Sequence, residues 1–341
     1  MTNISTAHTD PPAYIDVDAH TNREYDLPGQ DGLPAVRHRF DAESLHAINA
    51  ALAAERPLLV RGETGTGKSQ LARAASVLLR RAFVWRVVDA QTQVSNLFYT
   101  FDAVERLAQA QVMRAQLEAK DSPREHLDER NFVRPGPLWW AFDAADAQKQ
   151  YERYRAHCGA DTDAETPTDP RRAHVVLIDE IDKTDPSVPN GLLEALGQGT
   201  FAVPRGQVRR PGESMAPLVV ITTNEERELP SAFVRRCMVL HIPVPNSREA
   251  LVKWLVARGQ THFRGELGES LLAEAADMVH EDRAAALNHG LSPPGQAEYL
   301  DLLRAVMRLR GTDAERHTLL RTLRDFAFKK HIELHEPGKQ P

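Results

Sequence analysis

RPLLVRGETGTGKSQLARA, residues 56–74, sets a short apolar run against a glycine-rich loop and then a stretch of good helix formers. The loop, Gly62-Glu63-Thr64-Gly65-Thr66-Gly67-Lys68-Ser69, satisfies the spacing G-x-x-x-x-G-K-S/T. Glycines there let the backbone curl so that successive N–H groups converge on phosphate oxygens, helped by the N-terminus of the next helix. The residues expected around a bound nucleotide are Gly62, Glu63, Thr64, Gly65, Thr66, Gly67, Lys68, Ser69 and Gln70. Lys68 is expected to reach the β- and γ-phosphates, and the Ser69 hydroxyl to ligate Mg²⁺. A glycine-rich turn before an ordinary helix is the plain alternative. By average residue usage, chance supplies this pattern in on the order of one chain in a hundred of such length.

A second element has the same chemistry in view. VVLIDEID, residues 175–182, ends an apolar strand in two adjacent carboxylates. Asp179 is expected to hold the magnesium and Glu180 to polarise an attacking water. A strand simply leaving the core through charged residues is the alternative. An Asp-Glu pair also suits a hydrolase better than a small-molecule kinase, because only the former must activate water.

The rest of the chain is organised around these two stretches. Residues 1–39 are rich in Asp, Pro, Thr and His and lack periodicity, which predicts a mostly extended lead-in, prone to disorder. Asp41 has the character of an N-cap, with Leu45, Ile48 and Leu52 on one face of the helix after it. PLLV (57–60), FVWRVV (83–88), HVVLIDE (174–180), PLVVITTN (217–224) and MVLHI (238–242) read as strands; the third and fourth hold apolar runs of the kind expected for parallel strands covered on both faces. A polar helical region is expected over 102–130, a helix to about Ala156, and a loop over 158–172, where Pro167 and Pro170 exclude a helix. From Asn246 onward the pattern is helical only, so the boundary is placed near Pro245: an α/β domain over 40–245, helices over 246–332 and a tail over 333–341.

The motifs taken together resemble the AAA+ ATPases of the MoxR-like branch. RPLLVRGETGTGKSQLARA is similar to the first strand and phosphate loop of that branch, and VRPGPLWWAF to its Gly-Pro-Leu segment. LIDEIDKTDPSVPNGLLEALGQGTFAVP resembles its acidic motif with the adjoining helix and hairpin, and LVVITTNEERELPSAFVRRC its sensor strand and arginine segment. The resemblance covers roughly 40–245. It implies a P-loop NTPase core with a five-stranded parallel sheet flanked by helices, plus a C-terminal all-helical lid. It also implies ATP and Mg²⁺ as ligands, and Asn224 as a sensor touching the attacking water or the γ-phosphate, where the plain alternative is a strand cap. Arg236 is the expected arginine finger and Arg235 an interface contact, both serving a nucleotide held by a neighbouring copy; pairing with Glu225, Glu226 or Glu228 is the alternative. One departure stands out: in LSPPGQAEYL, Pro294 occupies the place of the lid arginine many relatives carry, leaving Arg283 or Arg304 as substitutes.

Composition narrows the function classes. The 341 residues carry a formal net charge of −6, which counts against wholesale nucleic-acid coating. Two cysteines, Cys158 and Cys237, make no disulfide framework, and MTNISTAHTDPPAYIDVDAH lacks a signal-peptide pattern, so a cytoplasmic protein without membrane spans is expected. The resemblance implies a ring homo-oligomer, a hexamer by analogy, that remodels a protein client, with a von Willebrand A-type partner among the candidates. A nucleic-acid motor and a slow nucleotide switch are the competing functions. Aromatic Phe132, Trp139, Trp140 and Phe142 suit a core or an interface better than a substrate- or pore-facing insert, and the hairpin over 201–212 suits a pore lining or an exposed loop equally.

Overall fold

The computed structural model describes residues 12–29, 33–115, 126–159, 173–212, 215–309 and 311–328. In chain order the elements are α1 (Val17–His20), β1 (Glu24–Leu27), β2 (Val36–Arg39), α2 (Ala42–Ala53), β3 (Leu58–Arg61), α3 (Lys68–Leu78), β4 (Ala82–Val87), β5 (Tyr99–Phe101), α4 (Ala103–Ala115), β6 (Val133–Pro135), α5 (Pro137–Phe142) and α6 (Ala144–Cys158). After them come β7 (His174–Asp179), α7 (Ser187–Gln198), β8 (Thr200–Val203), β9 (Gly206–Arg209), β10 (Leu218–Thr223), α8 (Ser231–Val234), β11 (Met238–His241) and four helices, α9 (Arg248–Phe263), α10 (Glu269–Asn288), α11 (Gln296–Leu309) and α12 (Asp313–Phe328). Five strands form one parallel sheet in the order β11-β3-β10-β7-β4.

The sheet is apolar on both faces because its strands alternate between two cores. Leu59, Val84, Val176, Ile178, Val219 and Ile221 face the side covered by α5, α6 and α7. Leu58, Val60, Phe83, Val175, Leu177 and Val220 face the side covered by α2 and α3. Asp41 caps α2 through its carboxylate, which accepts from Ser44 N at 2.7 Å, and Leu45, Ile48 and Leu52 are buried one turn after another. Phe132, Trp139, Trp140 and Phe142 are all buried; Trp140 meets Tyr151 edge-on and Trp139 Nε1 donates to Asp146 at 2.9 Å. The β8–β9 hairpin is pinned from inside by Phe201, stacked on Phe98 at 4.5 Å between centroids. α9 to α12 bury a third core of their own, built on Leu255, Leu272, Val279, Tyr299, Leu303 and Val306.

The expected lead-in needs correction. Within 12–39, the described residues make a short helix and an antiparallel pair, β1 with β2, rather than an extended segment. Ile15 and Leu27 are buried, and the Asn49 side chain on α2 exchanges two hydrogen bonds with the Ile15 backbone, at 2.8 and 2.7 Å. Arg73 on α3 donates to Pro34 O at 2.8 Å and to Pro28 O. Each local run is too short and too charged to show a period, so tertiary contacts decide the structure. Of the polar region over 102–130, 103–115 is helical; 116–125, like 160–172 of the expected loop, 329–332 of the helical region and the tail over 333–341, lies outside the described residues. Leu27→Ala should cost about 2–5 kcal/mol in urea denaturation, as a buried leucine does; a loss within ~0.5 kcal/mol, the range of exposed substitutions, would mean the segment is not packed.

Candidate nucleotide site

The register of the parallel sheet brings the loop after β3 and the ends of β7 and β10 to one edge. Open α/β sheets bind ligands outside the carboxyl ends of their strands. Gly62, Gly65 and Gly67 take φ of 148°, 79° and 94°, so the loop needs the conformational freedom its glycines provide. A Cβ on Gly65 would also lie 2.6 Å from the Ala297 Cβ, so the loop touches the first turn of α11. Lys68, buried at the start of α3, turns its ammonium onto the carbonyls of Gly62 (2.7 Å) and Glu63 (2.8 Å). Burial holds its pKa below the ordinary lysine value, against the opposing pull of Asp179, Asp182 and Glu180.

Ser69 and Asp179 meet as the motifs require. The Ser69 hydroxyl lies 2.9 Å from both carboxylate oxygens of Asp179. Thr222, fully buried in β10, donates to Asp179 Oδ1 and accepts from Glu180 N at 2.9 Å. One hydroxyl thereby orients one carboxylate and fixes the backbone of the next residue. Glu180 sits in the left-handed region at φ 63°, a conformation that costs a non-glycine residue energy and that the Thr222 contact helps to hold. Its carboxylate accepts from Lys183 Nζ at 2.6 Å and Asn224 Nδ2 at 3.3 Å. The hydrogen bond to Glu180 raises the Lys183 pKa, keeping that ammonium charged. Buried Asp182 accepts from the backbone N–H groups of Asn224 and Glu226, at 3.2 and 3.0 Å, and so ties the loop after β10 to the acidic loop.

Lys68, Ser69, Asp179, Glu180 and Asn224 line a cleft of about 340 Å³ roofed by α11, whose Ala297, Leu300, Asp301 and Arg304 face it. Arg304 is paired with Asp301 at 2.5 Å. Arg283, the other cation considered for the lid, is buried and engaged in a two-pronged bridge to the Glu63 carboxylate, 2.9 Å on each prong, and donates to Pro294 O. Glu63 therefore faces the lid with its side chain while its carbonyl takes Lys68. A second cleft, of about 430 Å³, adjoins the first through Gly67, Gln70, His262 and Gln296. Its walls include Phe40, Trp254 and the Arg258 guanidinium, which lies 3.6 Å from the centroid of the Trp254 ring. Burial presses Arg258 down to about 10, and presses His38 and His262 in the same cleft down to about 4. The arrangement offers cations and N–H groups for phosphates beside a flat, partly aromatic recess.

Hard oxygen donors suit Mg²⁺, and Ser69 with Asp179 supplies two of them; phosphate and water would have to complete an octahedron. Among the described residues no group of three or more His, Cys, Asp or Glu gathers as a metal cage.

Arg235 and Arg236 are not part of this edge. They come after α8 and lead into β11, whose Met238 pairs with Leu58 at the opposite end of the sheet. Four residues of strand, roughly 13 Å, and the flanking turns separate them from the loop after β3. Both side chains are exposed, and neither has an ion pair among the described residues; Glu225 is taken by Arg61 instead. The motifs assign no role to Thr222, Asp182 or the recess formed by β2 and α9, and Arg283, expected only as a substitute lid cation, is bridged to Glu63 instead. Thr222, in the run TTN, and Asp182, in VVLIDEID, stand close to recognised positions.

The sequence model of the AAA domain (dynein-related subfamily) matches residues 57–237, just over half the chain. The protein belongs to the AAA family. A solved structure of a candidate ATPase from Cytophaga hutchinsonii is similar at 14% identity and TM-score 0.36, over 83% of this chain and 78% of the other. A RuvB point mutant from Thermotoga maritima is similar at 13% identity and TM-score 0.43, over 92% and 73%. Both scores lie below 0.5, and the family rests on the sequence model. Comparison with curated proteins finds no match. Among the described residues no helix is long and apolar enough to cross a membrane.

The two histidines of the recess give this AAA protein a pH signature. An unfolded histidine titrates near 6.5, and His38 and His262 titrate at about 4 when folded. Between those values the unfolded chain binds more protons, so stability falls as pH drops through that window. The urea midpoint should be lower at pH 5 than at pH 7, and His262→Gln should shrink the difference; an undiminished difference in that variant would assign the effect elsewhere.

Proposed function

We propose that the protein binds ATP with Mg²⁺ in the cleft between the phosphate loop and α11 and hydrolyses its terminal phosphoanhydride bond. The observation that carries this reading is the convergence of Lys68, Ser69, Asp179, Glu180 and Asn224 on one cleft. The triphosphate would draw the Lys68 ammonium from the loop carbonyls, and the purine would enter the recess of Phe40 and Trp254. Ser69 and Asp179 would hold the magnesium, which neutralises charge on the phosphate oxygens when bound. Asn224 would position a water beside the Glu180 carboxylate, which takes its proton as the oxygen attacks the γ-phosphorus. The bond to the β,γ-bridging oxygen breaks and ADP leaves with that oxygen.

Arg236 cannot serve the nucleotide of its own chain from the far end of the sheet, so its role, with Arg235 beside it, belongs to a neighbouring copy. This supports a ring homo-oligomer, hexameric if it matches the MoxR-like pattern, that turns hydrolysis into conformational work on a protein client. A von Willebrand A-type partner is the first such client to test.

A slow nucleotide switch is the second reading. It is favoured by the Glu180 carboxylate being held by Lys183 and by Pro294 standing in the place of a lid arginine. Glu180→Gln separates the two. In the hydrolase, phosphate release should fall at least a hundredfold, the scale of a lost general base, with nucleotide binding retained. Wild-type turnover no faster than that of the variant would leave only the switch.

A further inference from the structure

At the foot of the sheet, away from the nucleotide cleft, lies a hollow of about 460 Å³ whose charge is one-sided. Arg56, Arg209, Arg210 and Arg236 line it, and Glu55 is the one carboxylate of its walls among the described residues. Glu55 is already spent on Arg210, at 2.7 Å. Arg56, Arg209 and Arg236 are exposed, and none has a side-chain hydrogen bond or ion pair among the described residues. They arrive from three separate elements: the turn before β3, the end of β9 and the turn before β11. The backbone holds that convergence rigidly, through Met238 N to Pro57 O and Arg210 N to Gly199 O, both 2.8 Å.

Three unpaired guanidiniums in one concavity repel each other until an anion enters, and planar guanidiniums favour phosphate and carboxylate oxygens. The chain's own nucleotide cleft is at the opposite end of the sheet, so the anion comes from another molecule. The opposite end is also complementary. Its sensor loop exposes Glu226 and Glu228, with Arg227 between them, and neither carboxylate is ion-paired among the described residues. A foot rich in unpaired arginine and a top bearing carboxylates and a triphosphate fit head to tail, the heterologous contact from which rings are built.

We propose that Arg56 and Arg209 join Arg236 in a composite site that receives the nucleotide-bearing top of a second copy of this chain. This rests on the shared-site reading above and extends it to two positions that no motif marks. Arg56 and Arg209 act as positioning residues, steering the neighbour so that Arg236 reaches its phosphates.

The test is an Arg56→Ala/Arg209→Ala double variant, alone and mixed with Lys68→Ala subunits. Alone it should bind a fluorescent ATP analogue as the wild type does, which also shows that it folds, while its turnover drops about tenfold or more. Mixing should restore part of that turnover, because its intact phosphate loop then meets an intact arginine foot. Wild-type turnover in the double variant, with Arg236→Ala inactive, would overturn the composite site and leave shared sites standing. Wild-type turnover in Arg236→Ala would overturn both. Loss of turnover that no mixing ratio restores would also overturn the composite site, as would unaltered turnover combined with loss of binding to a thirty-nucleotide single strand, which would make the hollow a nucleic-acid site.

Discussion

The parallel register of β3, β10 and β7 is the constraint on which everything else depends. Ile221 sits opposite Leu59 on one side and Ile178 on the other, so the three strands end within one residue of each other. One residue of slip in any of them would turn its side chains to the wrong face. With the register kept, the loop at Gly62, the Asp179–Glu180 pair and Asn224 emerge together, and Thr222 can bond both members of the pair. The apolar faces that enforce this register are therefore part of the chemistry. They hold the polar groups at spacings that no local hydrogen bond could set alone.

The same constraint separates two halves of one proposed site. Strands running in parallel put the turn before β11 at one end of the sheet and the loop after β3 at the other, and so put Arg236 beyond reach of its own loop. The lid meets the loop at the other end. Arg283, buried in α10, reaches the Glu63 carboxylate and Pro294 O, and the start of α11 packs on Gly65. A buried guanidinium left without its carboxylate is costly, so lid position and loop conformation are linked through this bridge. That link is made at the second residue of the loop, where movement of the C-terminal helices would be felt by the backbone N–H groups that follow.

Much of this was legible in the residues because the motifs are local: a loop, a strand end and a strand end, each read within ten positions. The five strands, the cap at Asp41 and the buried aromatics from Phe132 to Phe142 came from pattern alone. The hidden remainder depends on contacts between distant positions. β1 and β2 are four residues each, alternate poorly and are held by α3 and α9 rather than by propensity. Arg283 and Glu63 are separated by 220 positions, and no spacing rule joins them. No spacing rule joins Arg56 and Arg209 to Arg236, and only the fold places the three in one hollow.

In the proposed shared site, one subunit holds only half of a working site. The most direct measurement is turnover per subunit against protein concentration, with sedimentation monitored in the same samples. Shared sites require turnover per subunit to fall toward zero on dilution as the assembly dissociates, while the diluted chain still binds the fluorescent ATP analogue. Constant turnover per subunit in a species that sediments as a monomer would contradict it.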